Sequence, residues 1–433
     1  MKLVLFTANY PFGRGEEFLE NEVRVAEPRF DEIVFVSLAK SGSPVTKYVP
    51  RNGRVVCVRD YNSEWLRRVT ALRGIFRPRV WREVFRLHRE RKEARILNVL
   101  SSVLLAEDAM YYLHKKRAAW ESPPDAPALY VSYWLDASAT YLAMHRQDLH
   151  GLCVSRAHGW DCFYDRGIVP YREIQLTALD GIYPISDAGR QDLLAHYGRQ
   201  IPGLSEKVRV HHLGVRREGG AEGERYPRQM RTIVSCSSII PLKRLDLLIG
   251  ALSQCATPIH WVHYGDGPLK EQVLDEAREK LDPLPHITYE FRGNVPNSEV
   301  LRFYAVAPVD LFVNCSDSEG IPVSIMEAMA RGIPVVARDV GGNGEIVDSA
   351  CGRLLPAQTG PTDLARAIDG LLALPAEQFA GIRRAAAEKI AAQYDAESNY
   401  KHFYEQLEAQ LFSISRMRED APKPQVNERK ERE

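Results

Sequence analysis

"DLFVNCSDSEGIPVSIMEAMARGIPVVARD", residues 310 to 339, passes from an apolar run into a polar loop, a short helical pattern and a second apolar run. An apolar run without polar alternation reads as a strand buried on both faces, and such strands belong to parallel sheets. The loop "SDSEGIP" then leaves the carboxyl end of a strand, where open α/β sheets bind ligands. Pro322 suits the first turn of the helix, Gly332 the position just past its end, and Pro334 lies beyond. The stretch is a strand–loop–helix–strand unit of an α/β fold.

The alternation extends in both directions. Upstream, "KLVLFTA" (2–8), "EIVFVSLA" (32–39), "PALYVSYW" (127–134), "GLCVSRAHG" (151–159) and "GIYPIS" (181–186) are strand-like runs separated by helical patterns. It restarts with "RTIVSCSSI" (231–239), "IHWVHYGDG" (259–267) and "ITYEFRG" (287–293), each followed by a helical pattern. Between the two series, residues 216–230 are polar, rich in glycine and charge, and without period, as an interdomain linker is. The expectation is two Rossmann-like, doubly wound parallel-sheet domains, residues 1–215 and 231–390, facing each other across a cleft. A helix over 391–415 is expected to pack back on the first domain, and the charged tail 416–433 to be disordered.

At 433 residues the chain is too long for one ordinary core, and 45% hydrophobic with 26% charged residues describes a soluble globular protein. Lysine plus arginine and aspartate plus glutamate number 57 each, so net charge favours no partner and only local charge informs. Seven scattered cysteines without a C-x-x-C pair speak against a disulfide framework or structural zinc and for a reducing cytosol. The amino-terminal apolar run is too short for a signal peptide, and no stretch is expected to reach the ~20 apolar residues of a membrane span. Residues 65–95 carry eleven Lys or Arg against three Glu, interleaved with residues such as Trp65, Phe76, Trp81 and Phe85. They read either as a solvated face packed on the core or as a basic amphipathic surface for anionic lipid headgroups or an anionic acceptor. No nucleic-acid module accompanies them.

Glu319 sits before the helix of the opening stretch and Glu327 eight positions on, inside it. The segment Gly320, Ile321, Pro322, Val323 brings free N–H groups of the helix start to the loop, a ready anion site. A ligand with an anionic middle and hydroxyl-rich ends fits: phosphate on the helix start, hydroxyls on each carboxylate. That describes a nucleotide-sugar. Acidic residues near a helix start are also ordinary macrodipole partners. Lys243 and Arg244, after the first strand of the second domain, suit a leaving diphosphate, and equally a solvated loop. "YGDGPL" (264–269), with Asp266, is a glycine loop at a strand end or a turn alone.

"SEGIPVSIMEAMARGIPVVARDVGGNGEIV", "IPLKRLDLLIGAL", "YGDGPLKEQV", "FRGNVPNSEVLRFY" and "CGRLLP" resemble, in order and spacing, the retaining nucleotide-sugar glycosyltransferases of GT-B architecture, family four. "ANYPFGRGEEFLENEV", "VSRAHGWDCFYDRG" and "DGIYPISDAGRQDL" are similar to members that build bacterial exopolysaccharide, capsule or lipopolysaccharide. The resemblance implies Glu319 on donor-sugar hydroxyls, Glu327 on the ribose, Lys243 on the phosphates, and Arg292, Gly293, Asn294 and Val295 along the base. From the first domain it implies Gly13 and Gly15 near the diphosphate and His158 facing the sugar, although a lone histidine is otherwise a structural hydrogen-bonder. One departure is Ser238, where the family usually has an arginine; Arg244 or Arg14 are the candidates to compensate.

The expected reaction is glycosyl transfer with retention from a UDP- or GDP-linked sugar to a saccharide or lipid-linked saccharide acceptor. It needs no cofactor and, with no D-x-D near a strand end, no divalent metal. The expected location is the cytoplasm, including the inner face of its membrane. Competing readings are a nucleotide-sugar epimerase, a glycoside phosphorylase, or a non-catalytic nucleotide-sugar-binding partner of another transferase.

Overall fold

The computed structural model describes residues 1–419 except positions 14, 41, 60–68, 70, 93 and 217–228. Strands β1 (Lys2–Thr7), β2 (Glu32–Lys40), β3 (Gly53–Arg59), β4 (Ala128–Ser132), β5 (Gly151–Ala157) and β6 (Gly181–Pro184) form one sheet, ordered β3-β2-β1-β4-β5-β6. Strands β7 (Arg231–Cys236), β8 (Ile259–Tyr264), β9 (Ile287–Gly293), β10 (Val309–Asn314), β11 (Val335–Arg338) and β12 (Gly352–Leu355) form the second, ordered β12-β11-β10-β7-β8-β9. Every pairing is parallel. Counted from its own first strand, each sheet runs 3-2-1-4-5-6, the doubly wound order that reverses between its first and fourth strands. The chain is a two-domain α/β protein.

Side chains of β1 show how the layers form. Leu3 and Leu5 pack with Leu19, Val23, Phe403 and Leu407, while Val4 and Phe6 pack with Val80, Val103 and Trp120. Alternate residues thus reach opposite helical layers, as strand geometry requires. Phe403 and Leu407 belong to the last helix, Ala396–Glu419, which returns from the second domain to cover the first sheet. Its start is hydrogen-bonded to the chain's other crossing: Val215 N–H donates to Tyr394 O at 2.9 Å and Ala396 N–H to Val215 O at 3.2 Å.

Three expectations change. The edge strands β3 and β12 extend the sheets beyond the runs read from the sequence. The last helix reaches Glu419, so only part of the tail, 420–433, lies outside the described residues, as does most of the linker. The helix Ile96–Lys115 is long and apolar enough, by length and composition, to cross a membrane, contrary to the expectation of none. Of its most apolar window 56% is buried, with Val99, Val103 and Leu113 in the first domain's core and Glu107 tied to Arg77 and Arg79. It is packed as a core helix.

Candidate functional site

The loops that follow β7 and β10 leave the second sheet at its switch point, and both carry predicted residues. Glu319 is 9% exposed, and its Oε1 receives Lys243 Nζ at 2.7 Å, Asn314 Nδ2 at 3.1 Å and Ser316 Oγ at 2.5 Å. Glu319 is therefore drawn inward, because Asn314 and Ser316, at the end of β10, hold it. All three donors converge on one oxygen, and Oε2 takes none of them. Glu327, on the helix Val323–Met329, is 7% exposed and receives Asn297 Nδ2 at 2.9 Å. Burial pushes its carboxyl up to about 7, and Glu17 of the first domain adds a smaller repulsion. Glu17 follows the Gly13–Gly15 loop closely, so that loop lies within electrostatic reach of Glu327.

Glycines let the backbone close around Glu319. Gly341 has φ +56°, and a Cβ there would lie 1.8 Å from the Glu319 carbonyl oxygen. Gly342 N–H donates to Gly320 O at 2.7 Å. A Cβ on Gly320 would lie 2.8 Å from His158 O, so the "HGWD" loop of the first domain presses directly on the Glu319–Gly320 segment. The Arg166 guanidinium crosses from the first domain and donates to the Glu319 carbonyl. Burial holds that guanidinium below its usual pKa, with Glu319 opposing.

On the first-domain side, His158 is 5% exposed, with ring centroids of Trp134 and Tyr133 at 4.6 and 4.8 Å. Among the described residues neither ring nitrogen has a hydrogen-bond partner, although Asp161 Oδ2 stands 3.9 Å from Nδ1. Trp160, half exposed, stacks on Trp134. Beneath this wall lies Glu16, whose carboxylate accepts the N–H groups of Ala8, Asn9 and Tyr10 at 3.0, 2.7 and 2.7 Å and the Trp134 indole at 2.6 Å. It ties the β1 loop, with Gly13 at φ +57° and Gly15 at +84°, to the end of β4.

The remaining predicted residues divide. Ser238 is exposed beside the site. Arg244 is engaged by Asp246 at 2.9 Å and Asp317 at 3.2 Å, which occupies the cation proposed to offset Ser238; Arg14 lies outside the described residues. Asp266 caps its own turn through Gly267 N–H at 2.8 Å and faces Lys270 at 3.6 Å. Arg292 donates to Tyr264 Oη at 2.6 Å and pairs with Glu290, at the end of β9 that leads into Gly293, Asn294 and Val295. Asn314, Ser316, Asn297, Glu16, Trp134 and Arg166 are site residues that motif reading passed over. Of these only Asn314 and Ser316 carried a sequence signal, as polar groups closing an apolar strand. Among the described residues Asp187, His212 and Glu345 could together hold a metal ion, but the Glu345 carboxylate already accepts the Asp187 and Ala188 N–H groups at 3.0 and 2.9 Å.

Comparison with known proteins bears on the fold and the family. Residues 230–373, which hold Lys243, Glu319 and Glu327, match the family described as glycosyl transferases group 1. The O-antigen biosynthesis glycosyltransferase WbnH of Escherichia coli is 26% identical over 201 residues, 45% of this chain and 54% of that protein. The GDP-mannose-dependent alpha-(1-6)-phosphatidylinositol monomannoside mannosyltransferase of Mycolicibacterium smegmatis is 30% identical over 188 residues, 41% of this chain and 46% of that protein. The chain thus spans about half the length of these curated relatives. In fold, the crystal structure of Anabaena HepE in complex with UDP and glucose superposes with a TM-score of 0.62 at 16% identity, covering 94% of this chain and 100% of that one. Residues 230–373 are a glycosyl transferases group 1 domain, set within a two-domain GT-B fold.

Proposed function

We propose that the protein transfers a glycosyl unit, with retention and without a divalent metal, from a nucleoside diphosphate sugar to a hydroxyl of a lipid-linked saccharide in bacterial surface polysaccharide or glycolipid assembly. The observation that carries this reading is the Lys243–Glu319 contact at the switch point of the second sheet, closed over by His158 and Gly159 of the first. In this reading the buried pair serves as a cation suited to a leaving diphosphate beside a carboxylate suited to sugar hydroxyls, away from bulk water.

In this reading the donor sugar lies against Glu319 Oε2 and His158, and the ribose on Glu327. Arg292 to Val295 line the base, and Gly13 and Gly15 approach the diphosphate. The bond from the anomeric carbon to the diphosphate oxygen breaks as the acceptor oxygen bonds to the same face of that carbon, and the acceptor proton passes to the departing diphosphate. Charge growing on the leaving group is met by Lys243. With Arg244 held by two carboxylates, Lys243 carries more of that load than it would with an arginine at position 238. UDP or GDP as the carrier, a cytoplasmic site of action and peripheral membrane attachment belong to the same proposal.

A thermal-shift screen of nucleotides and nucleotide-sugars finds the donor, since a cognate ligand stabilises by mass action. With that donor and a saccharide acceptor, Glu319→Ala should lower turnover at least a hundredfold while circular dichroism stays unchanged; near-normal turnover would remove Glu319 from the site. The wild type should keep full activity in excess chelator, and loss that added divalent ion restores would sink the metal-free mechanism. An inverted anomeric configuration in the product, read by proton NMR, would overturn retention.

A further inference from the structure

Helix Pro78–Glu90 meets two different surroundings. Val80, Val84 and Leu87 are buried in the first domain's core. The other side leaves Trp81 37% and Phe85 62% exposed, ring centroids 6.1 Å apart. Phe76, just before the helix, is 88% exposed, and Leu97, just after the turn that follows it, 73%. Eight of the fourteen exposed large hydrophobic residues among those described fall between positions 69 and 111, and the Trp81 indole N–H donates to the Ile75 carbonyl at 2.8 Å, which brings the Trp81–Phe85 pair up against the segment that carries Phe76.

The charges of the same region sort themselves on folding. Arg77 and Arg79 both donate to buried Glu107 at 2.6 Å, and Arg91 is held by the Tyr164 and Gly167 carbonyls. Arg86 takes both carboxylates of the helix, Glu83 at 2.7 Å and Glu90 at 2.8 Å. Arg82, Arg89, Lys92 and Arg95 are exposed and have no partner among the described residues. The outward face therefore combines aromatic rings with uncompensated positive charge. Protein–protein interfaces also enrich aromatic residues and arginine, but four cations unpaired among the described residues beside exposed Trp and Phe form the basic amphipathic face of a helix that lies in the headgroup region of an anionic bilayer.

We propose that this face docks the protein on an anionic lipid bilayer. Phe76, Trp81, Phe85 and Leu97 enter among the headgroups, and Arg82, Arg89, Lys92 and Arg95 meet lipid phosphates. The inference deepens the proposed peripheral attachment by naming its surface, and it stands on exposure and charge whether or not glycosyl transfer is the activity.

The test is flotation of the full chain at low salt with vesicles of phosphatidylcholine alone and of phosphatidylcholine mixed with phosphatidylglycerol. The wild type should float with the mixed vesicles. Arg82→Gln with Arg89→Gln should weaken that binding about 30-fold, from roughly fivefold per cation at an anionic surface. Phe76→Ser with Phe85→Ser should weaken it at least tenfold. Both pairs are surface changes, so melting temperatures should stay near wild type. No flotation of the wild type, flotation unchanged by the Phe pair, or equal binding to both vesicle types indifferent to the Arg pair overturns the proposal. So does a wild-type dimer in sedimentation that the Phe pair dissociates without any lipid binding, since the face would then join two copies of the chain.

Discussion

Among the described residues Glu319 receives three donors on one oxygen, whereas Glu327, as deeply buried, receives one, from Asn297. A buried carboxylate stays ionised at neutral pH only if donors replace the water it has lost. Glu327 lacks them and its carboxyl rises to about 7, so it is half protonated near neutrality. The sign for stability follows. With a folded-state pKa above the unfolded value, the native state holds a proton that the unfolded chain releases, so stability is full below about 4.5 and falls as pH climbs to about 7. The loss is on the order of 3 kcal/mol at one pKa unit per ~1.4 kcal/mol. Glu327→Gln should remove that slope: calorimetric melting curves of wild type and variant should diverge between pH 5 and 7, and parallel curves would mean the carboxyl is not raised. The spacing of the two glutamates was visible in the sequence. Their different environments were not, because the donors to Glu319 and Glu327 come from β10, the β7 loop and the helix Asn297–Val306.

At the level of elements, the alternation of apolar runs with helical patterns was enough to read the inner strands, since they are buried on both faces and need no polar residues. Two of the four edge strands were less legible, whereas β6 and β9, at the opposite edges, were read as apolar runs. β3, "GRVVCVR", is half exposed and carries arginines at both ends of its apolar centre, and β12 is four residues long. Edge strands have one neighbour, so their pattern weakens where their burial does. The β1 loop shows the same limit in another form. Its glycines were read as ligand-facing, but the residue that shapes the loop is Glu16, at φ +59° and 4% exposed. Its carboxylate collects three backbone N–H groups and the Trp134 indole, all from within the first domain. Glu16→Ala leaves these donors without a partner and should cost about 3 kcal/mol or more in urea unfolding. Glu16→Gln, which keeps an acceptor oxygen, should recover part of it. An alanine variant as stable as wild type would show that the loop has another anchor.

Across the whole molecule, the chain passes between the domains twice, and the two passages lie hydrogen-bonded side by side at Val215 and Ala396. The contact is backbone to backbone because residue 214 is glycine: a Cβ there would lie 2.4 Å from the Ala396 Cα and 2.7 Å from its nitrogen. Neither atom can swing aside as a side chain would. The Tyr400 hydroxyl accepts the Gly214 N–H at 3.1 Å, and one turn further Tyr404 donates to Glu22 at 2.9 Å. Glu22 is in turn paired with Arg156 at 2.9 Å, both side chains fully buried. Displacing the start of the last helix would therefore disturb a buried ion pair whose solvation depends on it. Gly214→Ala should lower stability by about 2 kcal/mol or more, with the loss shared by both domains. Gly381→Ala is the matched control: nothing lies within 4 Å of its Cβ position, and it sits inside the helix Ala376–Gln393. It should stabilise by up to about 1 kcal/mol. Calorimetry of the two variants separates a blocked crossing from a general effect of added bulk, and a Gly214→Ala protein that melts like wild type would show that the two passages part freely.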